Sequence, residues 1–349
     1  MNWKEGLRQP GVPAALGAAL LFGAGTPLAK WLLDAVNPWL LAGLLYLGSG
    51  VGLSLYRWLI HAPAVRLPKN EVTWFAGAIL AGGIIGPVLL MFGLTGMPAS
   101  GASLLLNAES VFTALLAWFA FKENFDRRIA LGMLAIVAGA IVLSVPLDAH
   151  VSELWPTLAI LGACFAWGID NNLTRKVSLT DATWIASVKG WVSGIVNLSL
   201  AFSLGASMPT LPNLISAMMV GLLAYGVSLA LFVVGLRHLG TARTGAYFSV
   251  APFFGALLAV MMGEPITMPL LMAGALMALG TWLHLTERHE HSHVHEEVEH
   301  NHEHFHDEHH QHAHDYPVAP GTKHRHLHQH EPLNHTHPHF PDSHHRHGH

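Results

Sequence analysis

Four ionisable side chains fall inside long apolar runs, where a charge is expensive and marks a functional hypothesis by default. Glu109 stands in LLLNAESVFTALLAWF, Asp170 in ACFAWGIDNNL, Lys189 in WIASVKGWV and Lys30 in GTPLAKWLL. A carboxylate at mid-membrane could take up and release a proton, as a proton-coupled carrier needs, so Glu109 is the first candidate. Its plainer alternative is a Glu that only hydrogen-bonds a neighbouring helix. Asn107, with Ser103 and Ser110, gives the same segment a small polar face suited to a hydrated cavity. Asp170 and Lys189 fall on consecutive, oppositely directed segments at similar depth. They could form a buried pair or line a cavity, and Asn171 and Asn172 extend the cluster toward cargo. Lys30 could snorkel to an interface or act in gating.

A second chemistry begins past Glu287. The 61 residues from His289 onward include 23 of the chain's 27 histidines. Their spacing is His-x-His: His289, His291, His293, His295, then His300, His302, His304, His306, then His309, His310, His312, His314, then His324, His326, His328, His330. Neutral imidazole suits Zn, Ni, Co and Cu ions, and interspersed Asp and Glu add oxygen ligands. So many near-equivalent ligands predict several weakly held ions rather than a closed structural site. No cofactor is required by anything else in the chain. Two other roles stay open for the tail, a pH-dependent electrostatic arm near anionic lipid and an inert low-complexity extension. Hydrophobic residues are sparse in it and show no period, so a disordered cytoplasmic tail is expected over 289–349.

The elements that must hold the intramembrane charges are long apolar helices. Only 11% of the 349 residues are charged, against about 25% in soluble domains. About 20 apolar residues cross a hydrocarbon core, and ten such segments are read at 12–33, 38–57, 73–94, 98–121, 128–147, 155–174, 182–204, 212–236, 241–263 and 266–286. The first is too long for a cleaved signal's apolar stretch and lacks a small-residue cleavage site. Lys and Arg crowd the loops after even-numbered segments. The loops after odd-numbered ones hold only Asp34, Asp148, His150, Glu153 and Glu264 among acids, bases and histidines. The positive-inside rule then makes both termini cytoplasmic. Met1–Arg288 carries 15 Lys/Arg against 12 Asp/Glu, and the tail 3 against 10; this balance offers no nucleic-acid-binding face. Cys164 is the single cysteine and forms no intrachain disulfide.

The halves resemble each other in order. Phe22-Gly23 leads to Lys30 as Trp167-Gly168 leads to Arg175. Phe92-Gly93-Leu94 answers Val234-Gly235-Leu236, and the helices that follow run to Lys122-Glu123 and Gly263-Glu264. Five segments per copy is odd, so the second copy is inverted, the architecture of alternating-access transporters. Pro27, Pro87 and Pro252 interrupt segments one, three and nine and are hinge candidates, with ordinary kinked packing as the alternative. Gly48-x-x-x-Gly52, Gly82-x-x-x-Gly86 and Gly190-x-x-x-Gly194 allow close helix approach within one chain and leave the oligomeric state open.

Leu104-Leu105-Leu106-Asn107-Ala108-Glu109 running through an apolar helix to Glu123, with Pro252 to Glu264 in the second half, resembles the EamA-type branch of the drug/metabolite transporter superfamily over roughly 12–287. The resemblance implies a small-solute carrier, usually an exporter. The expected fold is an all-α integral membrane protein with ten transmembrane helices as two inverted five-helix repeats, 1–147 and 148–288. The expected function is export of a small organic solute such as an amino acid or metabolite across the inner membrane, with proton coupling at Glu109. A Zn, Ni or Co transporter whose tail collects or senses metal is the alternative, and a membrane-anchored metal buffer the third. Membrane lipid and the cargo are the expected partners. No nucleotide-binding loop or nucleophile–base signature points to an enzyme.

Overall fold

The computed structural model describes residues 11–121, 127–144 and 154–285, and in the tail 290–295, 299–304, 324–329 and 333–338. The chain divides into two units, Met1–Glu287 and Arg288–His349. In the first unit run α1 (Gly11–Leu33), α2 (Pro38–Leu59), α3 (Val72–Ala78), a π-helical segment (Ile79–Ile85), α4 (Gly86–Thr95), α5 (Ala99–Leu105), α6 (Ala108–Phe121) and α7 (Arg127–Ser144). Then come α8 (Trp155–Arg175), α9 (Ala182–Ser203), α10 (Leu211–Val220), a second π-helical segment (Gly221–Val227), α11 (Ser228–Phe248), α12 (Ala251–Met261) and α13 (Met268–Leu285).

Gly11–Leu33, Pro38–Leu59, Val72–Thr95, Ala99–Phe119, Ala182–Ser203 and Leu211–Leu239 are each long and apolar enough to cross a membrane. Ala130–Leu143, Ala251–Met261 and Met268–Leu283 are shorter apolar helices. The outward faces carry Leu131, Leu134, Ile141, Leu257 and Met261, all exposed. Such faces belong in hydrocarbon, where the backbone is satisfied within each helix. Two boundaries differ from the sequence reading. Span four breaks at Leu106–Asn107, between α5 and α6. The start of span nine is grouped with span eight in α11. Nevertheless a Cβ at Gly235 would lie 2.8 Å from the Thr244 side chain. Nine residues of straight helix would separate these positions by about 13.5 Å, so the chain folds back inside α11.

α2 and α9 start alike. The Asn37 side chain accepts from Trp39 N and Leu40 N at 3.0 and 3.4 Å, and Asp181 accepts from Trp184 N at 2.8 Å. These caps satisfy amides that have no intrahelical partner. The two helices touch through glycine, reciprocally. Gly50 meets Gly190 and Trp191, and Gly194 meets Leu47; a Cβ would stand 2.6 Å from Trp191 N in the first case and 2.7 Å from Leu47 N in the second.

The π-helical segments occupy matching places. Each boundary of the second lies 142 residues after that of the first, 79 to 221 and 85 to 227. The same interval separates Phe92-Gly93-Leu94 from Val234-Gly235-Leu236. In the first, Gly86 N–H bonds Ala81 O, and Pro87 has no N–H to continue the ladder. The carbonyls of Gly82 and Gly83 are thereby freed, and side chains claim both.

The tail has β1 (Glu290–His295), β2 (Glu299–His304), β3 (His324–Gln329) and β4 (Leu333–Pro338). β1 pairs β4 antiparallel, with His291 opposite His337 and His293 opposite His335. β2 pairs β3 with His300 opposite His328, His302 opposite His326 and His304 opposite His324. These four strands fall within the tail expected to be disordered over 289–349. Apolar residues in the tail show no period, whereas His-x-His is itself a period of two, the repeat of an extended strand. His289, His306, His309, His310, His312, His314 and His330 lie outside the described residues, as does Glu123.

Candidate functional site

The break at Leu106–Asn107 brings Glu109 into the first turn of α6, deep in the bundle and 8% exposed. Its Oε1 accepts from Asn171 Nδ2 at 2.8 Å, and the same amide reaches Thr113 Oγ1 at 3.2 Å. Among the described residues no hydrogen bond to Oε2 is found. Asp170, one residue before Asn171 on α8, is ion-paired to Lys189 on α9 and accepts from Thr174 Oγ1 at 2.9 Å. Lys189 is 1% exposed. An ion pair this deep requires close walls, and Gly82 supplies one. A Cβ there would collide with the Asp170 carboxylate.

The freed carbonyls organise the rest. Gly82 O accepts from Tyr46 OH at 2.6 Å and from Trp167 Nε1 at 2.9 Å, and Gly83 O from Asn197 Nδ2 at 3.1 Å. Tyr46 and Trp167 spend their polar edges on backbone. Phe22 stands edge-on to Trp167 and Tyr225 at 5.6 and 5.9 Å, and Tyr46 stands 5.2 Å from Tyr225. These rings, with Phe232 and Phe248, wall a small cavity of about 50 Å³. Its polar lining comprises Glu109, Asp170, Asn171, Lys189 and Ser228. Of these, Ser228 Oγ is already bonded to Ala18 O at 2.9 Å.

Of the residues singled out by sequence, Glu109, Asp170, Asn171 and Lys189 therefore meet in one place. Asn107 and Asn172 do not line the cavity. Asn107 Nδ2 donates to Leu104 O at 3.2 Å and contacts Met277 Sδ, sealing the helix break. Asn172 Nδ2 bridges Thr113 O and Gly168 O at 3.1 and 2.9 Å, tying α8 to α6. Lys30 Nζ donates to Leu94 O at 2.5 Å at the end of the bundle that carries the acid-only loops. Close by, Glu264 caps α5, accepting from Ala99 N and Ser100 N at 2.7 and 2.8 Å. Arg57 bonds Asp181 at 2.5 Å and Thr183 at 2.8 Å at the opposite end. Burial pushes the Asp181 carboxyl up, but bonds from Thr183 and Trp184 and the Arg57 guanidinium outweigh it and hold the group below its ordinary value.

Pro27 is buried inside α1. Pro252 sits in the first turn of α12, where the missing N–H is tolerated, and Pro87 lies where the first π-helical segment passes into α4. Sequence reasoning missed Phe22, Tyr46, Tyr225, Phe232 and Phe248. Aromatic residues in apolar helices look alike whether they face lipid, core or cavity.

Residues 9–145 and 154–286 each match the EamA-like transporter family. An "Uncharacterized transporter" of Methanothermobacter thermautotrophicus is 27% identical over 294 residues, 78% of this chain and 85% of its own length. A "Probable amino-acid metabolite efflux pump" of Salmonella typhimurium is 26% identical over 293 residues, 78% of this chain and 93% of its own. A solved protein structure superposes with a TM-score of 0.64 at 18% identity, covering 80% of this chain and 99% of that one; this shows a shared fold.

Proposed function

The chain belongs to the EamA-like transporter family, and we propose that it exports a small organic solute, such as an amino acid or related metabolite, by alternating access. Membership makes it a multi-pass membrane transporter and not an enzyme. The observation that carries the finer reading is the cavity, which both family-matched halves build. Phe22, Tyr46 and Glu109 come from the first half, and Trp167, Asp170, Asn171, Lys189 and Tyr225 from the second. A site between repeats near the midplane is what rocking one half against the other would expose alternately.

Ten spans in two inverted repeats, 1–147 and 148–288, fit the repeated family match, the twin helix caps, the reciprocal glycine contacts and the matched π-helical segments. The loop charges support cytoplasmic termini in the proposed inner-membrane location. Lys30 and Glu264 would then close the outer end, and Arg57 with Asp181 the inner end. Export is favoured by the relatives from Salmonella and Escherichia coli, both named as efflux pumps. Glu109, with one oxygen unclaimed, would exchange protons with the solute. Among the described residues no group of three or more His, Cys, Asp and Glu that could hold a metal ion is gathered. A bare metal ion thus has no evident seat in the cavity, and the tail is proposed to hold Zn, Ni, Co or Cu ions separately from transport.

The test is flux in proteoliposomes under an imposed proton gradient, with amino-acid mixtures and with Zn, Ni and Co ions, for the full chain and a chain ending at Arg288. Organic-solute flux that survives truncation but is uncoupled from protons by Glu109→Gln supports the reading. Metal flux that weakens on truncation would replace it with the metal-transporter alternative.

A further inference from the structure

The cavity's charge is unbalanced, and the imbalance bears on the cargo, provided that this cavity is the solute site as proposed above. Glu109 and Asp170 bring two carboxylates and Lys189 one ammonium. Lys189 is committed to Asp170, and Asp170 to Lys189 and Thr174. Glu109 has only the neutral amide of Asn171. The remaining titratable neighbours, Tyr46 on α2, Tyr225 in the second π-helical segment and the Cys164 thiol on α8, are groups that ordinarily carry no charge at pH 7. A charge enclosed in so apolar a site needs a partner. For Glu109 that partner is either its own proton or a cation brought by the solute. The rings of Phe22, Tyr46 and Trp167 also line the site, the polar edges of the latter two being spent on Gly82, and aromatic rings attract a cation through their faces.

We infer that the cavity selects a monocationic organic amine with an apolar body and no free carboxylate, taken up in exchange for the Glu109 proton. When the ammonium enters, the Glu109 O–H bond breaks, the proton leaves to the solution on that side, and two negative charges face two positive ones. A zwitterionic amino acid brings one charge of each sign. It is balanced only if Glu109 keeps its proton on the loaded and the empty stroke alike, so no net proton moves and a proton gradient drives no export. Lys189 is no free receptor for the extra carboxylate, because taking it would strand Asp170.

The full-length protein in proteoliposomes, with a pH indicator inside, tests this with a matched pair, phenylethylamine and phenylalanine, and with an aliphatic monoamine and a diamine as further probes. The expected result is amine flux with protons moving oppositely, and phenylalanine flux lower by about tenfold or more, since a stranded buried charge costs more than 1.4 kcal/mol. Glu109→Gln should abolish the proton counterflow. Phenylalanine moving in exchange for protons as fast as the amine overturns the inference. So does failure of every amine to move or to compete. If phenylalanine is the probe carried and Trp167→Leu and Tyr46→Leu stop its flux, the cavity remains the solute site and only the amine inference falls. Flux unaltered in both variants overturns the site itself.

Discussion

Replacing Lys189 by Met should destabilise the bundle far more than replacing Lys189 and Asp170 together. Lys189 is 1% exposed and Asp170 5%, so neither charge can turn to water when its partner is removed. In Lys189→Met the Asp170 carboxylate keeps only the Thr174 hydroxyl as a donor, with Gly82 pressed against it. Removing one partner of a buried pair costs about 3–5 kcal/mol. At about 1.4 °C per kcal/mol for a chain of this size, the unfolding midpoint should fall by roughly 4–7 °C. Asp170→Asn alone strands the ammonium and should cost a similar amount. The double variant Asp170→Asn/Lys189→Met removes both charges, keeps the volume and keeps an oxygen for Thr174. It should lie within about 2 kcal/mol of the parent. Thermal unfolding of the four proteins in nanodiscs, followed by loss of the monodisperse folded peak, gives the coupling energy directly. Additive losses, with the double variant as unstable as the sum of the singles, would show that the two side chains do not stabilise each other and would refute the reasoning.

Gly82→Ala places a methyl against the Asp170 carboxylate; it should cost about 1–3 kcal/mol by overpacking and lower the unfolding midpoint, with Gly83→Ala against Ser193 as the companion. Glu264→Ala removes the cap of α5 from Ala99 N and Ser100 N, worth about 1–2 kcal/mol, and those two amides should exchange hydrogen about tenfold faster. Asp181 is held below its ordinary value in the folded chain, so its stabilising contribution is full above the ordinary carboxylate range and is lost as pH falls through the depressed folded value. Arg57→Ala, which removes the 2.5 Å contact, should flatten the acid limb of stability between those two values, measured as unfolding midpoint against pH.

Long apolar runs, loop charge and the intramembrane acids are one-dimensional signals. Each followed from the cost of a charge or of an unpaired amide in hydrocarbon, so the apolar helices and the Asp170–Lys189 pair could be read directly, whereas the approach of Glu109 to that pair could not. Asn107 and Asn172 illustrate the limit. A polar side chain in an apolar helix must find a partner, but the sequence does not say whether that partner is cargo or a neighbouring carbonyl, and here it is Leu104 O, Thr113 O and Gly168 O. The aromatic wall was illegible for a different reason. Which face of a helix looks inward depends on its rotation, and the π-helical segments rotate spans three and eight part-way along by an amount no apolar period announces. In the tail, polar alternation carried the strand signal that hydrophobic periodicity could not.

A π-helical turn holds one residue more than an α-helical turn, so it marks a point where an ordinary helix has gained an amino acid. The two halves carry that surplus at corresponding places, 142 residues apart at both boundaries. Two unrelated insertions would have had to strike one register twice. A single insertion before the halves were joined had to happen once. On the proposed repeat architecture, the surplus residue is older than the pairing of the two halves.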